Sequence, residues 1–267
     1  MVARTRIALY LLWYGWLFSA LIGLPMLARL KPPQAIGERF PARVLRVGID
    51  PSYPPFANHV EGGFVGFDID LGEALAAELE LAVQFIPLGY DGLYDALKTD
   101  HIDILLAGVR VDYRQSQDVV YSQPYMNGGL RLLSPKTAAL IRRNDLSSHK
   151  IAYGYGTAAD QFLWYAEREI APFQRAPYED EETALRALKQ GQVSAALVDG
   201  VEGLRFMRWH GNWLQELALT EDHLAIAMRR DRPWLHSLIH DALSRLWVDG
   251  RLSEILQGWL WQASPAP

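Results

Sequence analysis

From residue 44 onwards, short apolar runs alternate with amphipathic segments, and this alternation narrows the possible folds more than any other property of the chain. The strand-like run VLRVGI is followed by the helix-like DLGEALAAELE, and the same order returns in AVQFI, YDGLYDAL and IDILLAG. Strands that alternate with helices predict a mostly parallel sheet with helices on its faces. We therefore expect an α/β protein.

The alternation breaks around residues 124–135, where YSQPYMNGGLRLLSP contains two prolines and a Gly-Gly pair. Such residues interrupt regular structure, so this segment is a candidate crossover. A second series follows and ends near residues 217–221: strand KIAYGY, helices AADQFLWYAERE and EETALRALKQG, strand VSAALV and helix GVEGLRFMRW. After it, HLAIAMR predicts a strand, and RPWLHSLIHDALSRLWV and GRLSEILQGWL predict two helices.

The N-terminus contains an uncharged apolar stretch at residues 7–28, IALYLLWYGWLFSALIGLPMLA, preceded by Arg4 and Arg6. It has about the 20 residues that span a bilayer, whereas the core of a cleaved signal usually has about 7–15. The length predicts a retained membrane anchor, and a long cleaved signal is the alternative. In both cases the rest of the chain is exported. Residues 29–43 read as a polar linker that contains proline.

Composition and missing motifs exclude several function classes. The net charge of −5 over 267 residues gives no electrostatic footprint for nucleic acid. The absence of cysteine excludes disulfides, thiolate zinc sites and cysteine nucleophiles. His236 and His240 lie one helical turn apart, but no third metal ligand has a recognisable spacing. There is no H-E-x-x-H, G-x-S-x-G or phosphate-loop motif, so we predict neither a cofactor nor a metal site.

Polar and aromatic residues gather where the predicted strands end. In open α/β sheets, ligands bind beyond the carboxyl ends of the strands. A carboxylate suits an α-ammonium group, a guanidinium suits an α-carboxylate, and aromatic walls suit the stem between them, so the site is complementary to an amino acid. The predicted binding residues are Asp50, Tyr53, Tyr90, Gly108, Arg110, Arg114, Thr157 and Asp199.

The acids of this region also have a purely structural interpretation. Asp50 could cap the turn at Pro51, and Asp199 could cap the helix that follows it, because Asp is a favoured capping residue. Asp112 is assigned to capping alone. The acidic run EDEE at residues 179–182 is predicted to be the solvated start of a helix.

Several of these segments together resemble a known family. LRVGIDPSYPPF, GFVGFDIDLGEALAAEL, GYDGLYDAL, IDILLAGVRVDYR and YSQPY occur in order and at close to the usual spacing of solute-binding family 3, the polar amino-acid binding proteins of bacterial ABC importers. VSAALVDG and DGRLSEILQGWL are also similar to it. The resemblance extends from about Val44 to the C-terminus.

The resemblance implies a type II periplasmic-binding-protein fold, in which two α/β lobes are joined by a two-strand hinge, here preceded by one N-terminal hydrophobic helix. Lobe 1 would comprise residues 44–127 and 218–267, and lobe 2 residues 128–217. The implied function is that of an extracytoplasmic substrate-binding component of an ABC importer. It would capture a small polar solute, first of all an amino acid, by hinge closure. The implied partners are this ligand and an ABC permease in the membrane, and a monomer is expected.

Carried over to this sequence, the resemblance assigns roles within the predicted site. Tyr53 and Tyr90 would form aromatic walls, Gly108 would offer backbone groups, and Asp199 would take the α-ammonium. Asp50 lies where several cationic amino-acid binders of the family place an acid that faces the ligand side chain.

The sequence departs from the family at the α-carboxylate clamp. The family arginine stands seven residues after the loop glycine, and that position is Gln115 here. Either a one-residue slip restores Arg114, or Arg110 replaces it from a position where the family usually has serine or threonine. Arg110 is favoured because it needs no slip. The second-lobe hydroxyl is also shifted, since Thr157 precedes Ala158, where many members have threonine.

Two alternatives stay open on the same scaffold. Some relatives resemble cyclohexadienyl dehydratases, which are lyases that need a carboxyl general acid with a raised pKa. The chain could also be a ligand-sensing subunit tethered to the membrane. An additional arginine in the site could suit an acidic side chain or another anion.

Overall fold

The structure is a computed structural model that describes residues 36–115, 117–138 and 140–261. The predicted anchor or signal at 7–28 lies outside the described residues, as does the first part of the predicted linker. In the described part of the chain, no helix combines the length and the apolar character needed to cross a membrane. The described residues before Val44 and those from Val44 onwards belong to separate units. The described part of the first unit contains one short helix, α1 (Ile36–Arg39).

The second unit contains an α/β structure, as predicted from the alternating pattern. Its helices are α2 (Phe67–Glu78), α3 (Leu93–Lys98), α4 (Ala158–Ala166), α5 (Glu181–Lys189), α6 (Gly200–His210), α7 (Pro233–Val248) and α8 (Arg251–Leu256). Its strands are β1 (Val44–Ile49), β2 (Asn58–Val60), β3 (Gly63–Val65), β4 (Ala82–Pro87), β5 (Ile104–Leu105), β6 (Val119–Tyr121), β7 (Met126–Asn127), β8 (Arg131–Pro135), β9 (Lys150–Gly154), β10 (Gln174–Tyr178), β11 (Ala195–Val198), β12 (Leu214–Ala218), β13 (His223–Leu224) and β14 (Ala227–Arg229).

The first sheet has the strand order β4-β1-β5-β14-β6. Strands β4 and β5 both pair in parallel with β1, and β14 runs antiparallel to β5 and β6. Leu45, Val47 and Ile49 of β1 have no exposed surface, which explains why this strand has a nearly continuous apolar sequence. The carboxyl ends of the parallel strands lead into the segments that carry Asp50 and Gly108.

The second sheet has the order β10-β9-β11-β8-β12, with β10, β9 and β11 parallel and β8 antiparallel to β11 and β12. Strand β8 lies inside the segment interpreted above as a break. Leu132 and Leu133 are almost fully buried, so the apolar part of that segment is a core strand. The candidate crossover therefore lies in the first part of this segment, before β8, and the neighbouring prolines and glycines concealed the short buried run that follows it.

The chain passes between the two sheets twice. Strand β7 lies in the first crossover, where the chain passes into the second sheet. It pairs antiparallel with β13, which lies in the second crossover, where the chain returns to the first sheet. The segment HLAIAMR, predicted as one strand, divides into β13 and β14, which belong to different sheets. The result is two α/β lobes joined by a two-strand hinge, which confirms the expected architecture.

The C-terminal helices pack on the first lobe through helix α2. Glu78 at the end of α2 accepts a hydrogen bond from Arg245 Nε of α7 at 2.6 Å and also pairs with Arg251 of α8. Beyond α8, Trp259 Nε1 donates to Asp70 Oδ2 at 2.7 Å. These contacts explain how the end of the chain returns to the lobe in which β1 lies.

Candidate functional site

The backbone of Arg110 runs beside the hinge. Strand β5 ends at Leu105, and the chain continues past Val109, whose carbonyl accepts the Ala225 N–H at 2.9 Å. One residue beyond Arg110, the Val111 N–H donates to the His223 carbonyl, also at 2.9 Å. Arg110 is therefore carried by the first lobe and lies against the second crossover.

The Arg110 side chain connects three segments of the chain. Its Nη2 donates to Asp199 Oδ2 of the second lobe at 2.5 Å. Its Nη1 pairs with Asp222 of the second crossover and lies 3.5 Å from the Gly128 carbonyl of the first. Partial burial lowers the pKa of Arg110, but the charges and hydrogen bonds of Asp199 and Asp222 outweigh it and raise the pKa overall. The guanidinium therefore stays charged.

Asp199 has both of the roles considered from the sequence. Its Oδ1 accepts the Val201 N–H at 2.9 Å and caps helix α6. Its Oδ2 faces Arg110. One carboxylate thus caps the start of a helix and also supplies a charge to the space between the lobes. The capping interpretation and the binding interpretation are therefore compatible.

Glu181 lies beside Asp199 and corrects the prediction for the acidic run. Helix α5 does begin at this run, with Asp180 accepting the Thr183 N–H at 2.7 Å. Glu181, however, is partly buried, and its Oε1 accepts the Asp199 N–H at 3.1 Å. Burial raises the pKa of Glu181 to about 7, aided by the charges of Asp199 and Glu202 and opposed by that hydrogen bond. This residue is not a solvated helix start.

The rings of Tyr53 and Phe56 form an aromatic wall on the first lobe and pack against the backbone of Gly108. Gly108 has a φ of +56°, and a Cβ there would lie 2.8 Å from Phe56 Cδ2 and 2.9 Å from Tyr53 Cε1. The two rings are 5.1 Å apart between centroids. Tyr53 has a raised pKa, caused first by burial and then by the charge of Asp199. Only glycine lets the rings lie against this backbone.

The amide of Gly108 already has a partner, which corrects part of its predicted role. The Gly108 N–H donates to Asp68 Oδ2 at 3.0 Å, and Asp68 is fully buried. Burial raises the pKa of Asp68 to about 7, and the Gly108 hydrogen bond opposes this shift. The Gly108 N–H is therefore occupied by a side chain of its own lobe. The strand-end rule missed Asp68 because it lies within helix α2.

Asp50 caps the turn that follows it, as one interpretation of the sequence predicted, and it also lines the candidate site. Its Oδ1 accepts the Ser52 N–H at 2.9 Å and the Ser52 hydroxyl at 2.6 Å. The side chain is buried, yet it lines the cavity in front of Tyr53. Asp50 therefore shapes the turn that presents the aromatic wall.

Arg114 pairs with an acid of its own loop. Its side chain is 90% exposed and pairs with Asp112, with Nε to Oδ1 at 2.9 Å. Asp112 Oδ1 also accepts the Arg114 N–H at 2.9 Å, which confirms the predicted capping role of Asp112. Of the two candidate arginines, Arg110 is the one that faces the second lobe.

The structure brings neither of the two remaining predicted residues, Thr157 and Tyr90, into a described contact with the pair formed by Arg110 and Asp199. The Thr157 hydroxyl donates to the Gly154 carbonyl at 2.8 Å, so it is engaged within its own loop. Ala158, which follows it, lines the cavity on the second lobe. Tyr90 begins the 3₁₀ turn Tyr90–Gly92, and its side chain lies outside the described part of the structure.

Two cavities meet at Arg110. The cavity on the first lobe has a volume of about 540 Å³ and includes Asp50, Tyr53, Gly108, Arg110 and Arg114 in its lining. The cavity on the second lobe, of about 700 Å³, includes Arg110 and Asp199. Sequence reasoning missed several residues that line these cavities or approach the site: Tyr94, Phe162, Tyr165, Glu181 and Asp222.

Comparison with known proteins agrees with this architecture. The model of the family described as bacterial extracellular solute-binding proteins, family 3, matches residues 45–262. The L-cystine-binding protein TcyJ of Escherichia coli (strain K12) is 24% identical over 220 residues, which cover 80% of this chain and 82% of that protein. An L-arginine-binding protein of Pseudomonas aeruginosa is 26% identical over 257 residues, with coverage of 90% and 92%. These relatives are binding proteins, so the lyase alternative gains no support from them.

A solved structure extends the comparison to the fold. The L-cystine solute receptor of Neisseria gonorrhoeae, in its unliganded open conformation, has a TM-score of 0.76 and 18% sequence identity. The match covers 88% of this chain and 100% of that one. At this identity the likeness shows the fold, which is that of a type II periplasmic binding protein.

Proposed function

We propose that this chain, which belongs to the bacterial extracellular solute-binding proteins, family 3, captures an amino acid between Arg110 and Asp199 and delivers it to an ABC importer. A substrate-binding role outside the cytoplasm is common to the family. The observation that carries the assignment of the two residues is their ion pair, which joins a guanidinium on one lobe to a carboxylate on the other.

Ligand binding is an exchange of partners within this pair. An α-amino acid carries one carboxylate and one ammonium group. Its carboxylate replaces Asp199 on Arg110, and its ammonium replaces Arg110 on Asp199, so each charge keeps an opposite charge beside it. Because the two residues belong to different lobes, a ligand bound to both holds the lobes together and favours the closed state.

The exchange costs little because the existing pair is partly solvated. The side chains of Arg110 and Asp199 are 36% and 27% exposed. Ion pairs in contact with solvent contribute about 0–1 kcal/mol. Micromolar binding corresponds to about 8 kcal/mol, so the pair that the ligand displaces is a minor term beside the interactions it makes.

The first lobe supplies the apolar surface for the ligand stem. Tyr53 and Tyr94 line the cavity beside Arg110, and aromatic rings cover an aliphatic stem while their polar edges remain hydrated. In this arrangement Asp199 and Arg110 set the orientation of the ligand, and the rings of the first lobe supply contact area.

The charges around the cavities favour a ligand that is neutral overall or carries an additional positive charge. Acids outnumber arginines among the residues that line them. An acidic amino acid would place a second carboxylate among these acids, so we place it last in the expected order of affinity. The acids are Asp50, Asp112, Asp199, Glu221 and Asp222, and the arginines are Arg110 and Arg114.

The proposal includes the partner and the cellular position. The partner is an ABC permease, the protein works as a monomer, and residues 7–28 retain it at the outer face of the cell membrane. The lobes comprise residues 44–127 with 218–267, and residues 128–217. Retention is tested by extraction of the full-length protein. Dependence on detergent supports it, and a mature N-terminus beyond residue 28 contradicts it.

The test of the binding function is a thermal-shift screen of the full chain against amino acids, simple amines and dicarboxylates. A ligand present at a hundred times its dissociation constant adds about 2.7 kcal/mol to the free energy of unfolding. We expect an α-amino acid to raise the unfolding temperature. A shift produced by a dicarboxylate or by an amine without a carboxylate, in the absence of any shift by an amino acid, would overturn the proposal.

A further inference from the structure

We infer that Asp222, a residue of the second crossover, is a positioning residue that holds Arg110 at the hinge and leaves one edge of its guanidinium free to exchange partners. The inference rests on the proposed amino-acid binding function and adds to it a residue that determines how the ligand carboxylate is recognised. Asp222 lines the cavity of the second lobe, and its contact with Arg110 is the one through which we infer that it acts on the ligand carboxylate.

Asp222 is fixed by its own backbone. Its N–H donates to Asn127 Oδ1 at 2.9 Å, and its carbonyl accepts the Gly128 N–H at 2.8 Å. The same Asn127 oxygen also accepts the Gly129 N–H at 2.9 Å. The two crossovers are therefore tied together where Asp222 projects its carboxylate toward Arg110.

The guanidinium has two different edges. Nη1 pairs with Asp222 of the second crossover and lies 3.5 Å from the Gly128 carbonyl, which also accepts the Gly200 N–H of helix α6 at 3.2 Å. Nη2 lies against Asp199, which stands at the start of helix α6 in the second lobe. The residue after Asp222 is bonded to the chain beside Arg110, because the His223 carbonyl accepts the Val111 N–H at 2.9 Å. Asp199 belongs to the second lobe and moves with it when the lobes move about the hinge. Asp199 is the contact that a ligand can replace.

Fixing one edge makes the other edge an effective carboxylate receptor. The arginine side chain is long and loses much rotational freedom when it is ordered. Asp222 orders it before the ligand arrives, so that loss does not oppose binding. Asp222 also keeps an anion beside Arg110 when Asp199 turns to the ligand ammonium. The ligand carboxylate then meets a guanidinium that is already aligned.

The neighbouring acid provides a matched control. Glu221 lines the same cavity as Asp222, but its side chain is 79% exposed and lies 3.7 Å from His223. The Glu221→Gln and Asp222→Asn substitutions each remove one negative charge from adjacent positions. Only Asp222→Asn weakens a contact with Arg110.

The ligand arm of the test compares L-arginine with L-argininamide, which lacks the carboxylate, by calorimetry on the full-length protein. We expect Asp222→Asn to reduce the preference for the acid over the amide by about tenfold, with the affinity for the amide almost unchanged. Glu221→Gln should leave this preference unchanged. Equal losses for both compounds would show a general structural role and overturn the inference. A gain in affinity for the acid would show that Asp222 acts only as an unfavourable charge, and would overturn it as well.

A second arm needs no ligand and separates this inference from the proposed function. In ¹⁵N spectra of the full-length protein, a guanidinium held on one edge rotates slowly and gives separate Nη signals. We expect these signals for Arg110 in the wild type and in Glu221→Gln, and their averaging in Asp222→Asn. Unchanged Arg110 signals in Asp222→Asn would overturn the inference. If neither compound binds the wild type, the function proposed for this ligand class fails, and this arm alone decides whether Asp222 positions Arg110.

Discussion

The two lobes contribute to the cleft in different ways. In the first lobe, the wall beside Gly108 is buried: Asp68 Oδ2 accepts the Gly108 N–H, and the Phe56 ring has no exposed surface. In the second lobe, Asp199 and Glu181 stand at helix starts with their charges close together and partly solvated. The first half of the site is therefore set by packing, and the second half by electrostatics. Substitutions in the first lobe should therefore disturb packing and stability, and substitutions in the second lobe should remove a charge that the ligand needs.

The largest effect is expected for Asp199→Asn. Asparagine is as good an N-cap as aspartate, so helix α6 keeps its first turn while the site loses the charge that takes the ligand ammonium. The pair between Asp199 and the ligand ammonium is shielded from solvent when the lobes close on the ligand. Removing one partner of such a pair costs about 2 kcal/mol or more, which is roughly a 30-fold loss of affinity. Calorimetry with the amino acid that gives the largest thermal shift measures it.

The matched control is Asp180→Asn, the same substitution at another helix N-cap of the second lobe. Asp180 caps α5 through the Thr183 N–H. We expect its affinity to equal that of the wild type. An equal loss in both variants would mean that helix capping, and not the charge of Asp199, supports binding.

In the first lobe, Gly108→Ala should act through packing. The new Cβ would lie within 2.9 Å of two aromatic rings at a positive φ, and strain of this kind costs on the order of 1–3 kcal/mol. We expect a lower unfolding temperature and a displaced Tyr53 wall. Gly89→Ala is the control, because among the described residues only Gly89 itself and its chain neighbours can lie within 4 Å of the point where its methyl group would stand. Equal stability of the two variants would contradict the packing account.

The difference between the lobes also explains what could be predicted from the sequence. Local patterns predicted β1, β9 and α7 well, because apolar runs and amphipathic segments record burial directly. The strand-end rule found Arg110 and Asp199 for the same reason, since each follows a recognisable strand. Segment LRLLS was missed as a strand because the turn residues around it dominated the pattern.

Glu181 and Asp222 could not be identified in this way. An acidic run predicts solvation, and only the tertiary contact with the Asp199 N–H buries Glu181. Asp222 follows β12 (Leu214–Ala218), a strand that was not predicted from the sequence, so the strand-end rule did not identify it. It reaches the site because the two crossovers lie side by side, a contact between distant parts of the sequence.

A smaller effect is the pH dependence of stability, to which Asp68 and the partly buried Glu181 both contribute. Asp68 and Glu181 both have a pKa raised to about 7. Between the unfolded values of about 4 and this value, the folded state binds more protons than the unfolded state, so stability falls as pH rises through this range. Each group contributes a slope of at most about 1.4 kcal/mol per pH unit. Glu181→Gln and Asp68→Asn should each make the slope shallower in pH-dependent thermal unfolding.

Ligand binding should distinguish the same two acids. A ligand ammonium beside Asp199 favours the ionised form of Glu181, so affinity should rise a few-fold between about pH 6 and pH 8. This rise should disappear in Glu181→Gln and persist in Asp68→Asn, whose carboxyl is enclosed in the first lobe. A pH dependence that survives in Glu181→Gln would place the titrating group elsewhere.

The central claim is that Arg110, and not Arg114, receives the ligand carboxylate. The most direct measurement is calorimetric titration of Arg110→Gln and Arg114→Gln with the amino acid that binds the wild type. We predict a loss of about 2 kcal/mol or more for Arg110→Gln, because the ligand carboxylate loses its charged partner inside the closed cleft. We predict a change within about twofold for Arg114→Gln, because its pair with Asp112 is exposed to solvent. A larger loss in Arg114→Gln than in Arg110→Gln would contradict the account.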